Sequence, residues 1–180
     1  MPSQHPRSLG GDIVADTYEA YVGSPMGPFC FIGDDEAVTM AGFTDRGGKD
    51  SPDLPLHMVE CREQVEEYFS GDRTTFDVPL RPEGTEFQRA VWAEMCRIPH
   101  GETRSYGQVA KAIGRPKASR AVGQACRSNP IGLIQPCHRV VGHDGDLVGF
   151  GGQTEDLSLK RQLIEHEARG SNIAIDEFGD

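Results

Sequence analysis

The sequence predicts a mixed α+β protein, with a small antiparallel sheet and one helix in its first half and a mainly helical second half holding a helix-turn-helix. Three observations carry this. Residues 17–43 break into three short apolar segments, Thr17 to Val22, Phe29 to Ile32 and Ala37 to Phe43. Gly23-Ser24-Pro25-Met26-Gly27 and Asp34-Asp35-Glu36 separate them, the punctuation of a three-strand meander. Met58, Val59, Val65, Tyr68 and Phe69 then recur at helical spacing up to Gly71. Finally, Thr85-x-x-Gln88 and Ser105-x-x-Gln108 are two capping boxes, each opening a helix.

The elements follow in order. Residues 1–15, rich in Pro, Ser, Gly and His, are expected to fray. Phe76 to Val78 is expected as a last strand, and Pro79 to Gly84 as a linker dividing the chain into residues 1–82 and 83–180. The first helix of the second half puts Phe87, Val91, Trp92 and Met95 on one face and ends before Pro99 and Gly101. The second stops at Gly114. The third is expected to start with Pro116 at its first position and to run to about Ser128, where Asn129-Pro130 stops it. Short helices joined by Gly114-Arg115-Pro116 form the helix-turn-helix pattern, though a packing hairpin has the same signature. Small residues among Arg120, Gly123, Ala125 and Arg127 suit close approach to DNA. His143 to Asp146 reads as a turn and Val148 to Gly152 as a glycine-rich loop, whose amides can reach a ligand or simply connect. A last helix is expected from about Thr154 to Arg169, with Leu159, Leu163 and Ile164 inward and Gly170 past its end.

Composition narrows the function classes. Apolar runs are only a few residues long, far short of the ~20 that span a bilayer, so a soluble, cytoplasmic protein is expected. The five cysteines are scattered without Cys-x-x-Cys spacing, which indicates neither a disulfide framework nor a zinc knuckle. The net charge of −10 argues superficially against a nucleic-acid partner. Its distribution reverses that: residues 1–84 hold six basic and sixteen acidic side chains, while Arg97 to Arg139 carries eight basic residues against Glu102 alone. An unpartnered basic stretch is the footprint of a phosphate-binding face rather than of an ordinary solvated helix. Twenty-eight acidic residues beside four lysines and fourteen arginines also resemble the composition of proteins from salt-rich cytoplasm.

The chemistry is expected between Asn129 and Val141, centred on Pro136-Cys137-His138-Arg139. Cysteine and histidine together supply a nucleophile and a base, and the polar company of two prolines, Asn129 and Arg139 outweighs the alternative of a core cysteine. Sequence neighbours diverge by roughly 100° on a helical turn, so His138 is expected to act on Cys137 through a water. A carboxylate must then fix the histidine's tautomer. Glu167, near the carboxyl end of the last helix where a negative charge needs a partner, is the candidate.

In combination and order these motifs resemble the O6-alkylguanine-DNA alkyltransferases: Ser105-Tyr106-Gly107-Gln108-Val109, Arg120-Ala121-Val122-Gly123 and Pro136-Cys137-His138-Arg139-Val140. The likeness covers residues 84–152 and resumes from Lys160 to Glu167. It implies a ribonuclease-H-like αβ unit before the helix-turn-helix unit. It implies irreversible transfer of an alkyl group from duplex DNA containing O6-alkylguanine to Cys137, without a cofactor and with the chain as a monomer. His138 is then the base, Glu167 its orienting carboxylate and Tyr106 the donor to the departing guanine. Arg120 fills the gap left by the flipped base, and Lys117, Ser119, Ala121, Gly123 and Arg127 line the DNA-binding face. Asn129 braces the hinge, and Pro136, Val140, Phe150 and Gly151 form the base pocket. Extrusion is required because a stacked guanine hides its O6 substituent. Some relatives bind zinc in the N-terminal unit; His5, Cys30, His57 and Cys61 do not match that pattern, and no metal is expected. A damage-recognition protein of the same fold is the rival reading, but such relatives lack the cysteine.

Overall fold

The computed structural model describes residues 16–147 and 157–171. Strands β1 (Tyr18–Val22), β2 (Phe29–Gly33) and β3 (Val38–Phe43) form the expected meander in antiparallel order β1-β2-β3. Their alternation buries Ala20, Val22, Phe29 and Phe31. Helix α1 (Leu56–Ser70) packs against that face through Met58, Cys61, Val65 and Tyr68, and ends at Gly71 in the left-handed conformation, which glycine adopts without Cβ strain.

The expected strand at Phe76 to Val78 does not form. Asp77 is held instead by the Gln64 side chain, which accepts from its amide at 2.8 Å and donates to its carbonyl at 3.1 Å. The outer edge of β3 is covered by two other segments: Leu80 forms one parallel bridge with Val38, and Ile131 another with Ala41. Ala41 donates to the Pro130 carbonyl at 2.9 Å and accepts from the Gly132 amide at 2.8 Å, so the sheet edge is tied to the chain just ahead of Cys137.

Both capping boxes close as expected, with each side chain and each reciprocal amide bond present at Thr85/Gln88 and Ser105/Gln108. They open α2 (Glu86–Met95) and α3 (Tyr106–Ala112). Pro116 is not the first residue of the next helix. It sits inside a turn closed by Ala118 N–H donating to the Arg115 carbonyl at 2.8 Å, a site its fixed φ suits, and α4 begins later (Ser119–Arg127). The two-residue strands β4 (Arg104–Ser105) and β5 (Val140–Val141) pair in parallel, which sets the start of α3 beside the segment following Cys137. Helix α5 (Ser158–Ser171) continues through Gly170, expected beyond its end, and its expected start at Thr154 lies outside the described residues.

One apolar cluster runs from Ala20 in the sheet to Leu163 in α5. Trp92 lies at its centre, donating from Nε1 to the Ala125 carbonyl at 2.8 Å and so pinning α2 to α4. Gly84 is required there: a Cβ would stand 2.5 Å from the Trp92 ring. Among the described residues no helix is long and apolar enough to cross a membrane.

Candidate functional site

Asn129 organises the approach to Cys137. Its side-chain oxygen accepts from the Ile131 amide at 3.1 Å and from Gln135 Nε2 at 2.8 Å, while its Nδ2 donates to the Gln135 carbonyl at 2.9 Å. These bonds close a tight loop in which buried Leu133 takes a positive φ of 68°, a conformation that costs a branched side chain and persists only where surroundings impose it. The Gln135 carbonyl also accepts the Cys137 amide at 2.9 Å. After Pro136 the chain makes a single 3₁₀ turn, Cys137–Arg139, so Cys137 and His138 diverge as expected of neighbours on a turn.

His138 is fully buried, and its Nε2 lies 2.7 Å from Glu167 Oε1. Arg139 makes a forked pair with the same carboxylate, through Nε to Oε2 at 2.9 Å and Nη2 to Oε1 at 2.9 Å, and donates from Nη1 to the Ile98 carbonyl at 2.7 Å. Tyr68 Oη donates to Oε1 at 2.8 Å, and the Gly101 amide to Oε2 at 3.0 Å. Burial alone would raise the Glu167 carboxyl, but the facing His138 and Arg139 outweigh it and hold it well below the usual carboxylate range. Burial lowers His138, so the imidazole is neutral near pH 7. Its proton then belongs on Nε2, facing the carboxylate. Nδ1, buried and without a partner among the described residues, is left as an acceptor.

Burial pushes the Cys137 thiol up, while a hydrogen bond with the Asn129 side chain, the Lys160 charge and backbone amides pull it back. The resting residue at neutral pH is therefore a thiol. Lys160 is itself buried. Its Nζ donates to the Val140 carbonyl at 2.6 Å and lies 3.4 Å from Tyr106 Oη, and desolvation brings its pKa down to about 8. Tyr106 is half-buried, which raises its hydroxyl pKa and keeps it a proton donor. Cys137 lines a cavity of about 560 Å³ with Asn129, Arg127, Leu159 and, from the sheet side, Met26 and Met40.

On the other side of α4 lies a groove of about 460 Å³, lined by Ser105, Tyr106, Gly107, Ser119, Arg120, Gly123, Arg127 and His143. Arg120, Ala121 and Arg127 are exposed on it or beside it, as is Lys117 in the preceding turn. Ala125, expected on this outer face, is buried at 2% exposure beneath Trp92. A Cβ on Gly123 would meet only the Tyr106 ring at 3.8 Å, so internal packing does not demand glycine there. Pro136 and Val140 are buried beside Cys137, and the Val140 carbonyl is already taken by Lys160. Phe150 and Gly151, with the glycine-rich loop, lie outside the described residues.

Both parts of one family's signature are present: residues 17–82 match the ribonuclease-like domain of 6-O-methylguanine DNA methyltransferase, and residues 86–169 match its DNA binding domain. The chain belongs to the 6-O-methylguanine DNA methyltransferase family. Methylated-DNA–protein-cysteine methyltransferase from Methanosarcina acetivorans is 46% identical over 157 residues, 83% of this chain and 97% of that protein. The corresponding protein of Mycolicibacterium paratuberculosis is 41% identical over 161 residues, 87% of this chain and 96% of its own length. Among solved structures, Mycobacterium tuberculosis OGT in complex with DNA matches with a TM-score of 0.72 and 39% identity, over 88% of this chain and 96% of that one.

Three site residues were not assigned roles by sequence reasoning: Arg139, Tyr68 and Lys160. Lys160 and Glu167 carried a signal, since with Leu163 and Ile164 they recur at i, i+3, i+4, i+7 on one stripe of α5. Tyr68 read as an apolar residue of α1, and nothing in its neighbourhood marks a partner 99 residues away.

Glu167→Gln keeps the volume and leaves the buried Arg139 guanidinium without its counter-charge, so urea unfolding at neutral pH should show a loss of about 3–5 kcal/mol. The folded carboxyl titrates below its unfolded value of about 4.3, so its stabilisation is complete above that pH and is lost as pH falls below it. The gap between the two proteins should therefore narrow below about pH 4. A gap that stays constant there would contradict the assignment.

Proposed function

We propose that this protein repairs DNA by direct reversal, moving the alkyl group of O6-alkylguanine in a duplex onto Cys137, as a monomer in the cytoplasm. Residues 83–180 hold the acceptor and the DNA-binding face, and residues 1–82 form the body against which they pack. The observation that carries the reading is the buried relay behind a buried cysteine: Glu167 on His138 Nε2, with Nδ1 left to accept a proton.

The steps balance. The Cys137 proton passes through a water to His138 Nδ1, and Glu167 stabilises the resulting imidazolium. The thiolate attacks the alkyl carbon, the new S–C bond forms as the C–O6 bond breaks, and the electron pair leaves with the guanine. Tyr106 gives the guanine its proton and recovers one from the imidazolium side once the base departs. A thioether has no leaving route under these conditions, so each chain acts once.

Binding sits on a separate element. Helix α4 presents Arg120 and Arg127 with Ala121 and Gly123 between them, a basic and closely approaching face, while Ser119 and Lys117 lie at its amino end, within reach of phosphates. Arg120 fills the stack vacated by the extruded nucleotide. Asn129 links the end of α4 to Cys137, so the loop that holds the nucleophile is braced against the helix that finds the lesion.

Mixing the protein with a duplex carrying O6-methylguanine should add one methyl per chain by intact mass, mapped to Cys137. Cys137→Ser should keep DNA binding and take up no methyl. Turnover beyond one equivalent, or a methyl on another cysteine, would overturn the reading. Arg120→Ala should slow repair of the duplex at least about tenfold more than alkylation by free O6-benzylguanine, which needs no extrusion. Equal losses on both substrates would make Arg120 a structural residue.

A further inference from the structure

Tyr68 belongs to α1, the helix of the N-terminal sheet unit, yet its hydroxyl is fully buried against the carboxylate behind His138. Its ring is held from several sides. His100 lies 5.9 Å away edge-on, the tilted rings of His166 on α5 and of Phe76 lie at 5.2 and 5.5 Å, and His166 Nε2 meets the Tyr68 carbonyl at 2.9 Å. The hydroxyl therefore has a fixed direction, toward Glu167 Oε1. That oxygen also faces His138 Nε2 at 2.7 Å and Arg139 Nη2 at 2.9 Å. With Arg139 Nε also within 3.2 Å, four donor atoms from three residues compete for the lone pairs of one oxygen, and each bond drawn from it weakens its hold on the others.

We infer that Tyr68 is a positioning residue for the alkyl transfer: by donating to the oxygen that receives His138 Nε2, it limits how far Glu167 pulls His138 toward its charged form. The inference rests on the alkyl-transfer reading above. A base that is fully charged before the thiol gives up its proton accepts nothing, and a carboxylate with too few donors would charge it early. Arg139 supplies charge balance and Tyr68 the finer adjustment, from a part of the chain that touches no reacting atom. The groups that also face this cluster are His100 from the loop after α2, Cys96 at the end of α2, His166 and Lys160 of α5, and Cys137 itself. None of them donates to Oε1 among the described hydrogen bonds, and Tyr68→Phe leaves all of them in place.

Two readouts test this on the full-length chain. The first is the pH dependence of the single-turnover rate with O6-benzylguanine, which involves no DNA. The second is the imidazole titration of His138 by NMR in the unreacted protein, which does not depend on transfer at all. Tyr68→Phe should raise the His138 titration midpoint, and with it the acid limb of the rate profile, by about half a unit to one unit. Replacing Tyr68 with 3,5-difluorotyrosine, a stronger donor of nearly the same shape, should move both the opposite way, and it keeps the test open if the phenylalanine variant folds poorly. Val65→Ala, a core substitution one turn away on α1, should lower the melting temperature without moving either midpoint. If both Tyr68 variants leave the His138 midpoint where it is, or shift it the same way, Tyr68 is only a packing residue and the inference is overturned. Failure of the wild-type protein to take an alkyl group on Cys137 would instead defeat the underlying reading, leaving the NMR result to stand or fall separately.

Discussion

A single buried carboxylate joins the fold to its chemistry. Glu167 receives His138 and Arg139 from the turn that carries Cys137, the Gly101 amide from the loop after α2, and Tyr68 from α1. An isolated buried carboxylate would cost several kcal/mol, and here the guanidinium fork and the surrounding donors offset that cost. The charge could have been avoided by apolar packing of the same volume, which often serves stability equally well. Its use is directional: it fixes which nitrogen of His138 carries the proton and which way the ring faces.

The same logic of bracing recurs on the approach side. Asn129 makes three side-chain hydrogen bonds within a loop that turns through strained Leu133, and β3 ties its edge to the residues on either side of Ile131. The parallel β4–β5 pair then sets Tyr106 beside the segment after Cys137, with Lys160 bonded to Val140 and close to the tyrosine hydroxyl. The proposed nucleophile and base share one turn and the proposed proton donor comes from α3, and the β4–β5 pairing helps set their spacing. Such a site is rigid where chemistry needs it and leaves the exposed face of α4 to meet a partner.

Much of this was legible in the residues. The capping boxes and the Gly71 stop are local signals, each satisfied within four residues, and the meander pairs only neighbouring strands; all formed as read. Pro116 misled because proline suits both a helix start and a turn, and the Arg115 carbonyl decided for the turn. Ala125 misled for a similar reason: a short helix with small residues on two faces does not reveal which face Trp92 will cover. Phe76 to Val78 has strand composition, but the sheet edge it would have joined is taken by Leu80 and Ile131, a tertiary choice invisible locally. Glu167 was found because chemistry required a carboxylate. Tyr68 and Arg139 escaped because their roles exist only through contacts distant in sequence.

Glu167 holds His138 as a neutral imidazole with its proton on Nε2 and Nδ1 without one. Two-dimensional 15N–1H NMR of the resting protein, with histidine labelled in the ring, reads this directly at neutral pH. The predicted result for His138 is a protonated Nε2 and an unprotonated Nδ1. A proton on Nδ1, or an imidazolium with both nitrogens protonated, would contradict this, because His138 could not then take the Cys137 proton as the proposed transfer requires.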